Sequence, residues 1–358
     1  MNKLIICNTN YQIIMALHMK LTVFKNVNVD ICVTDHIPNA SLRAEGIIKT
    51  KLFRNVLSIT SLPIVKRNGI FHKIVDSIYY GLGFSHLHKQ LGDYEEIVLY
   101  NYDISLYEII NALERKKNDF IISKYDEGLF SYNTEFYITG LRFNIIEFLR
   151  ISRNKRNISS MFKYFYCIYP QLKTIHPEWT SIELPGWMEE IDKLKNCLID
   201  IYGNIHCDIR QKYIYFASAS DIDNCSYGEV DFLKKVIDKV GSDNLIVKRH
   251  PRDTRDIYNQ LGVDVFNNND IPWEIYQILL PQEDKVLVTV TSGAFISVSA
   301  MLESNCKGVF LYPEINTFND EYKNYVHRID KTIRNLHKLS RCSNIIVGNL
   351  DILDQKGC

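Results

Sequence analysis

The stretch Asn244-Leu-Ile-Val-Lys-Arg-His-Pro-Arg-Asp253 decides how the chain is read. Leu245 to Val247 is an apolar run of the kind that forms a buried parallel strand, and it stops at Lys248, Arg249 and His250, closed by Pro251. Pro251 lacks an amide hydrogen and fixes φ, so the sheet ladder must end there with the imidazole held at the rim. In open α/β sheets that carboxyl end is where ligands sit. Cationic donors gathered there suit a phosphate.

The same grammar repeats on both sides of this stretch. Lys212 to Ala217, Lys285 to Val290 and Val309 to Leu311 are further strand candidates, and Val230 to Val240 has helical character. In the first half, Lys3 to Cys7 reads as a strand, Tyr11 to Val23 as a helix, and Val27 to Val33 as a second strand. A β-turn-α-β opening implies a parallel sheet with right-handed crossovers. Glu96 to Tyr100 and Asp119 to Ser123 continue the strands, with a helical stretch from Leu106 to Arg115 between them. No GxGxxG follows the first strand, which argues against a dinucleotide site there. Leu184-Pro185-Gly186 and the charged helix after it read as a linker over 180–210, and Phe71 to His88 as loop. The expectation is two Rossmann-like α/β domains facing across a cleft, residues 1–195 and 196–358, the fold class called GT-B.

Composition narrows the class. The 358 residues are 46% hydrophobic and 23% charged, with Lys+Arg and Asp+Glu both at 42. No net field recruits a nucleic acid. The nine cysteines form no CxxC or Cys/His ligand spacing, which points to reduced buried thiols and a cytoplasmic protein. No stretch has the length of a signal peptide or membrane span. Residues 140–170 combine an amphipathic run (Phe143 to Ile151), the basic Arg153-Asn-Lys-Arg156 and the aromatic Phe162-Lys-Tyr-Phe-Tyr166. They read either as a helix pair with a solvated basic face or as a basic-aromatic surface for a lipid-linked or anionic acceptor, with peripheral contact at the inner membrane face.

Several residues carry candidate chemistry, each with an ordinary structural alternative. Asp126-Glu127-Gly128 follows a strand, and a neighbouring like charge raises one carboxyl toward the range of a general base. It is equally an acidic turn that solvates a strand end. Thr291-Ser292-Gly293 between strand and helix is an anion site or an N-cap. Glu274, in Ile271-Pro-Trp-Glu274, either accepts from ribose hydroxyls or complements a helix dipole. Asp221-Ile-Asp223 raises a divalent-metal reading, but no further nearby carboxylate completes that site. His176-Pro177 reads as a turn, and His18, His86 and His88 as structural or surface residues.

Taken in order, the strand into Cys7-Asn8-Thr9-Asn10-Tyr11-Gln12, then Asp126-Glu127-Gly128, His250-Pro251, Ile271-Pro-Trp-Glu274 and Thr291-Ser292 form a pattern. It resembles the bacterial GT-B sialyltransferases, most of all glycosyltransferase family 52, the lipooligosaccharide and capsule sialyltransferases. The resemblance implies inverting, metal-independent transfer of sialic acid from CMP-sialic acid to a glycan hydroxyl, with no cofactor. Glu127, ahead of Asp126, would be the base, with Asp221 or Asp223 in reserve. His250 would assist the leaving phosphate, which Thr291 and Ser292 would hold. Glu274 would meet the ribose and the backbone around Lys248 and Arg249 the cytosine, with Asn8, Pro251 and Asp221 among the donor-binding residues. An acceptor-side domain at 1–195, a CMP-sugar-binding domain at 196–358 and a homodimer are also implied. A UDP-sugar GT-B transferase and a non-catalytic sugar-binding protein of a polysaccharide cluster are the competing readings.

Overall fold

A computed structural model describes residues 2–354 except 62, 64–65, 67–68, 101, 117–118, 133–139, 207, 219–226, 251, 254, 267–269, 303, 316–318 and 340. The chain divides into two compact units. One comprises Met1–Glu127 and Ser131–Gly203, the other Gly128–Phe130 and Asn204–Cys358.

The first unit is built on a seven-stranded sheet in the order β3-β2-β1-β4-β5-β6-β7. Its strands are β1 (Asn2–Cys7), β2 (Asn28–Thr34), β3 (Val56–Ile59), β4 (Glu96–Leu99), β5 (Ile121–Tyr125), β6 (Phe162–Cys167) and β7 (Thr180–Glu183), and its neighbouring strands run parallel. Among the described residues its helices are α1 (Asn10–Leu21), α2 (Ala40–Thr50), α3 (Ile70–Gly81), α4 (Ile104–Arg115), α5 (Leu141–Ser152) and α6 (Ile191–Tyr202). β1 shows why the strands are legible: Leu4, Ile5, Ile6 and Cys7 are all buried. A parallel sheet covered on both faces needs continuous apolar runs rather than alternation.

The second unit repeats the plan in six strands, ordered β10-β9-β8-β11-β12-β13. These are β8 (Tyr213–Phe216), β9 (Leu245–Lys248), β10 (Asp264–Val265), β11 (Val286–Thr289), β12 (Lys307–Phe310) and β13 (Ile345–Val347), again parallel. The helices are α7 (Glu229–Val240), α8 (Ile257–Gln260), α9 (Trp273–Leu279), α10 (Ala294–Leu302) and α11 (Asp320–Lys338). In both units the first strand sends the chain one way for two strands, then the order reverses. This places a topological switch point between β1 and β4, and another between β8 and β11.

Four expectations change. The aromatic run Phe162 to Tyr166 is strand β6, with Phe162, Phe165 and Tyr166 buried, so neither a helix pair nor an aromatic surface forms there. Phe71 to His88 is largely helix α3 rather than loop. The stretch from Leu184 onward is no linker: Trp187 is fully buried, and the Pro185 carbonyl lies 2.8 Å from His18 Nε2. Burial lowers the His18 imidazole to about 4, so at neutral pH it is uncharged and donates that Nε2 hydrogen. The unit boundary accordingly falls after Gly203 instead of 195. α6 stays whole because it packs on α2: a Cβ at Gly46 would sit 2.5 Å from Ile201 Cα, and Arg43 donates to the Ile201 carbonyl at 3.2 Å. The six described cysteines, Cys7, Cys32, Cys167, Cys197, Cys306 and Cys342, are buried free thiols. Among the described residues no helix is long and apolar enough to cross a membrane.

Candidate functional site

Each unit gathers chemistry at the carboxyl edge of its sheet. In the first, Glu127 leaves the end of β5 and reaches the turn after β1, two strands away. Thr9 Oγ1 and Gln12 Nε2 both donate to Glu127 Oε1, at 2.8 and 2.7 Å. The turn is itself braced. Thr9 caps α1 by accepting from the Gln12 amide at 3.2 Å, and Gln12 Oε1 accepts from the Asn8 amide at 2.6 Å. Asn8 Oδ1 accepts from Thr34 at the end of β2, at 2.9 Å. Asn8 thus braces the loop that grips the carboxylate.

Asp126 has a different place. It is buried, its Oδ2 accepts from the Tyr132 hydroxyl, and that hydroxyl oxygen accepts from the amides of Ile168 and Tyr169, each at 3.1 Å. Asp126 therefore holds the β5 and β6 loops together, while Glu127 is the half-buried member of the pair. Desolvation raises the Glu127 carboxyl to about 7. The bonds from Thr9 and Gln12 oppose that rise, the Asp126 charge adds to it, and Lys124 opposes it. Gly128 at φ 85° makes the turn that follows, a conformation natural to glycine. Lys124, which the sequence reading passed over, is buried with Nζ 2.9 Å from the Ser131 carbonyl, above the rings of Tyr100 and Phe165. Burial lowers its ammonium to about 8 against the pull of Asp126 and Glu127.

At the second edge, β9 ends in Lys248, Arg249 and the half-buried His250. His250 Nδ1 accepts from the Arg252 amide at 3.2 Å, which places the neutral ring's proton on Nε2 and makes that nitrogen a donor. Below it, the buried Asp253 takes Arg255 Nη2 at 2.7 Å and Tyr258 Oη at 2.9 Å. Burial pushes the Asp253 carboxyl up, but those bonds prevail and hold it below its ordinary value, fixing the turn. Lys248 Nζ donates to the Ile271 carbonyl at 3.1 Å. It ties β9 to Ile271, two residues ahead of α9. Arg249 lines an open polar pocket of about 650 Å³ with Arg210, Asn259, Asp264 and Phe266, on the β9–β10 side of the sheet.

β8 and β11 supply the remaining groups. Thr291 is buried with its hydroxyl against that of Tyr322, and the Ser292 amide donates to Thr289 Oγ1 at 2.9 Å just before α10. Glu274 lies buried in the first turn of α9. Ser218, at the end of β8, donates its amide and its hydroxyl to the buried Glu229, at 2.6 and 3.2 Å. With strands about 4.8 Å apart, the ends of β9 and β11 are roughly 10 Å apart, with Ser218 between them. Ser218, Glu229 and Tyr322 carried no local signal, because each acts through a partner distant in the chain. Asp221, Asp223 and Pro251 lie outside the described residues. Among the described residues no group of three or more His, Cys, Asp or Glu is placed to hold a metal.

The sequence matches no protein-family model and no curated protein. Solved structures do resemble the fold. A UDP-GlcNAc 2-epimerase from Methanocaldococcus jannaschii superposes with a TM-score of 0.50 at 12% identity, over 98% of this chain and 89% of that one. An α/β-galactoside α-2,3-sialyltransferase from Photobacterium phosphoreum gives 0.48 at 13% identity, over 99% of both chains. MurG from Acinetobacter baumannii gives 0.44 at 8% identity, over 98% of this chain and 86% of that one. The first of these likenesses, together with the strand order, establishes the fold alone: two parallel-sheet α/β units of the GT-B class.

Proposed function

We propose that the protein is a glycosyltransferase that moves sialic acid from CMP-sialic acid to a hydroxyl of a capsule- or lipooligosaccharide-type glycan, with inversion at the transferred carbon. The observation that carries this reading is Glu127. Its carboxyl is held by two side-chain donors of one turn and raised to about 7, so near neutrality it is poised to take a proton. The ordered motifs, which resemble those of family 52, support the same reading, and the GT-B fold is compatible with it.

Mechanistically, Glu127 removes the acceptor proton as the acceptor oxygen bonds to the sugar carbon. The bond from that carbon to the CMP phosphate oxygen breaks, and its electron pair leaves with the phosphate. Negative charge grows there, where the Nε2 hydrogen of His250 and the hydroxyl of Ser292 supply donors. Donors aimed at developing charge are the largest single contribution in many enzymes. Thr291 positions Tyr322 beside them, and Glu274 takes the ribose. A monophosphate leaving group carries less charge than a diphosphate, so an imidazole and hydroxyls suffice for it without a metal.

The test is release of CMP from CMP-sialic acid with and without a glycan acceptor, beside the same assay with UDP-sugars. Acceptor-dependent CMP release is the expected result. Turnover of a UDP-sugar with none of CMP-sialic acid would replace the donor assignment. Binding of either nucleotide with no turnover of any sugar would leave a sugar-binding protein.

A further inference from the structure

We infer that the outer face of α3 and α5 docks the first unit onto an anionic lipid surface. α3 is inverted relative to an ordinary surface helix. Its inward residues are Asp76, Ser77, Tyr80 and Gly81, whereas Ile70, Phe71, Ile74, Val75 and Ile78 are exposed. The exposed set follows i, i+1, i+4, i+5 and i+8, so it occupies one face. α5 lies alongside, with Leu149 packed where a Cβ on Gly81 would fall, and it exposes Leu141, Phe148 and Ile151. Ile70, Phe71, Leu141 and Phe148 are each 70–75% exposed. So large a contiguous apolar face marks a binding surface.

Charge selects the occupant. The acids of these two helices are turned inward, Asp76 onto Arg142 at 2.9 Å and Glu147 onto the Tyr107 hydroxyl at 2.9 Å. The exposed charges around the face are basic: Lys66 ahead of α3, Lys73 on it and Arg153 just after α5. An apolar face rimmed by lysine and arginine suits the headgroup boundary of a bilayer containing anionic lipid. A second copy of the chain fits less well, because a two-fold pairing would set this basic rim against itself. Topology adds a geometric point. Helices that return the chain between parallel strands begin at the carboxyl edge of the sheet, so Ile70 and Leu141 lie toward the same edge as Glu127. A docked first unit would bring that edge close to the bilayer.

The experiment is flotation of the purified chain with phosphatidylcholine vesicles and with vesicles that also contain phosphatidylglycerol, at low and high salt. Binding should require phosphatidylglycerol and weaken with salt. A Phe71→Glu/Phe148→Glu variant should lose it while its thermal melt is kept, since both side chains lie on the surface. Neutralising Lys66, Lys73 or Arg153 to glutamine should weaken it about fivefold per residue, which tests the idea even if the double variant folds poorly. Failure of the unaltered chain to float with either vesicle at low salt overturns the proposal. So do variants that float as well as it does, and a dimer that ignores vesicles and separates on Phe148→Glu.

Discussion

The two sheet edges share a strand order and differ in chemistry. At the first, one carboxylate is raised toward neutrality and gripped by hydroxyl and amide donors from an adjacent turn. At the second, an imidazole, hydroxyls and backbone amides collect at the ends of β8, β9 and β11. In the proposed reaction the first edge would accept a proton, and the second would offer its imidazole and hydroxyls to an anion. A common topology thus positions opposite chemistry, because the edge is a place for side chains and not a function in itself.

The largest effect that tests this contrast is on the acid edge. Glu127→Gln keeps the shape and removes the base, and kcat should fall about 10²- to 10⁴-fold, the usual share of general base catalysis. Retained turnover would remove Glu127 from the chemistry. On the other edge, His250→Ala should lower kcat about 10²- to 10³-fold with little change in melting temperature. If instead only KM rises, the imidazole serves binding and not the developing charge.

Stability separates Asp126 from Glu127. Tyr132→Phe strips the hydroxyl from Asp126 and from the amides of Ile168 and Tyr169. Unsatisfied buried groups cost about 1–3 kcal/mol each, so unfolding of the first unit in denaturant should come earlier by about 3 kcal/mol. An unchanged midpoint would mean that water replaces that hydroxyl.

The smallest effect lies in the pH profile. A base must be ionised, so kcat/KM should rise with pH through an acidic limb near 7. Gln12→Leu removes one of the bonds that favour the carboxylate, so the limb should move to higher pH. The linkage has the opposite sense for folding. A carboxyl raised in the folded state binds its proton more tightly there than in the unfolded chain, so its contribution to stability is present below the ordinary carboxylate range and is lost as pH rises to about 7. A limb at the ordinary carboxylate position, unmoved by Gln12→Leu, would break the account of the acid edge.

What the sequence determined by itself is the central apolar strands of each sheet, β1, β4, β8 and β11 among them, and the loops that follow them. Leu4 to Cys7 and Leu245 to Val247 declare themselves because parallel strands covered on both faces must be continuously apolar. His250-Pro251 and Asp126-Glu127-Gly128 were likewise legible, since a proline or glycine punctuates the strand end beside a charged group. Tertiary structure alone decided which carboxylate is spent on the fold and which is left half-buried. The grip of Thr9 and Gln12 on Glu127 spans more than a hundred residues of chain. It also decided that Phe162 to Tyr166 lies inside a sheet and that α3 turns its apolar side outward. An apolar pattern fixes which residues share a face, but only the neighbours packed against the element decide whether that face is covered.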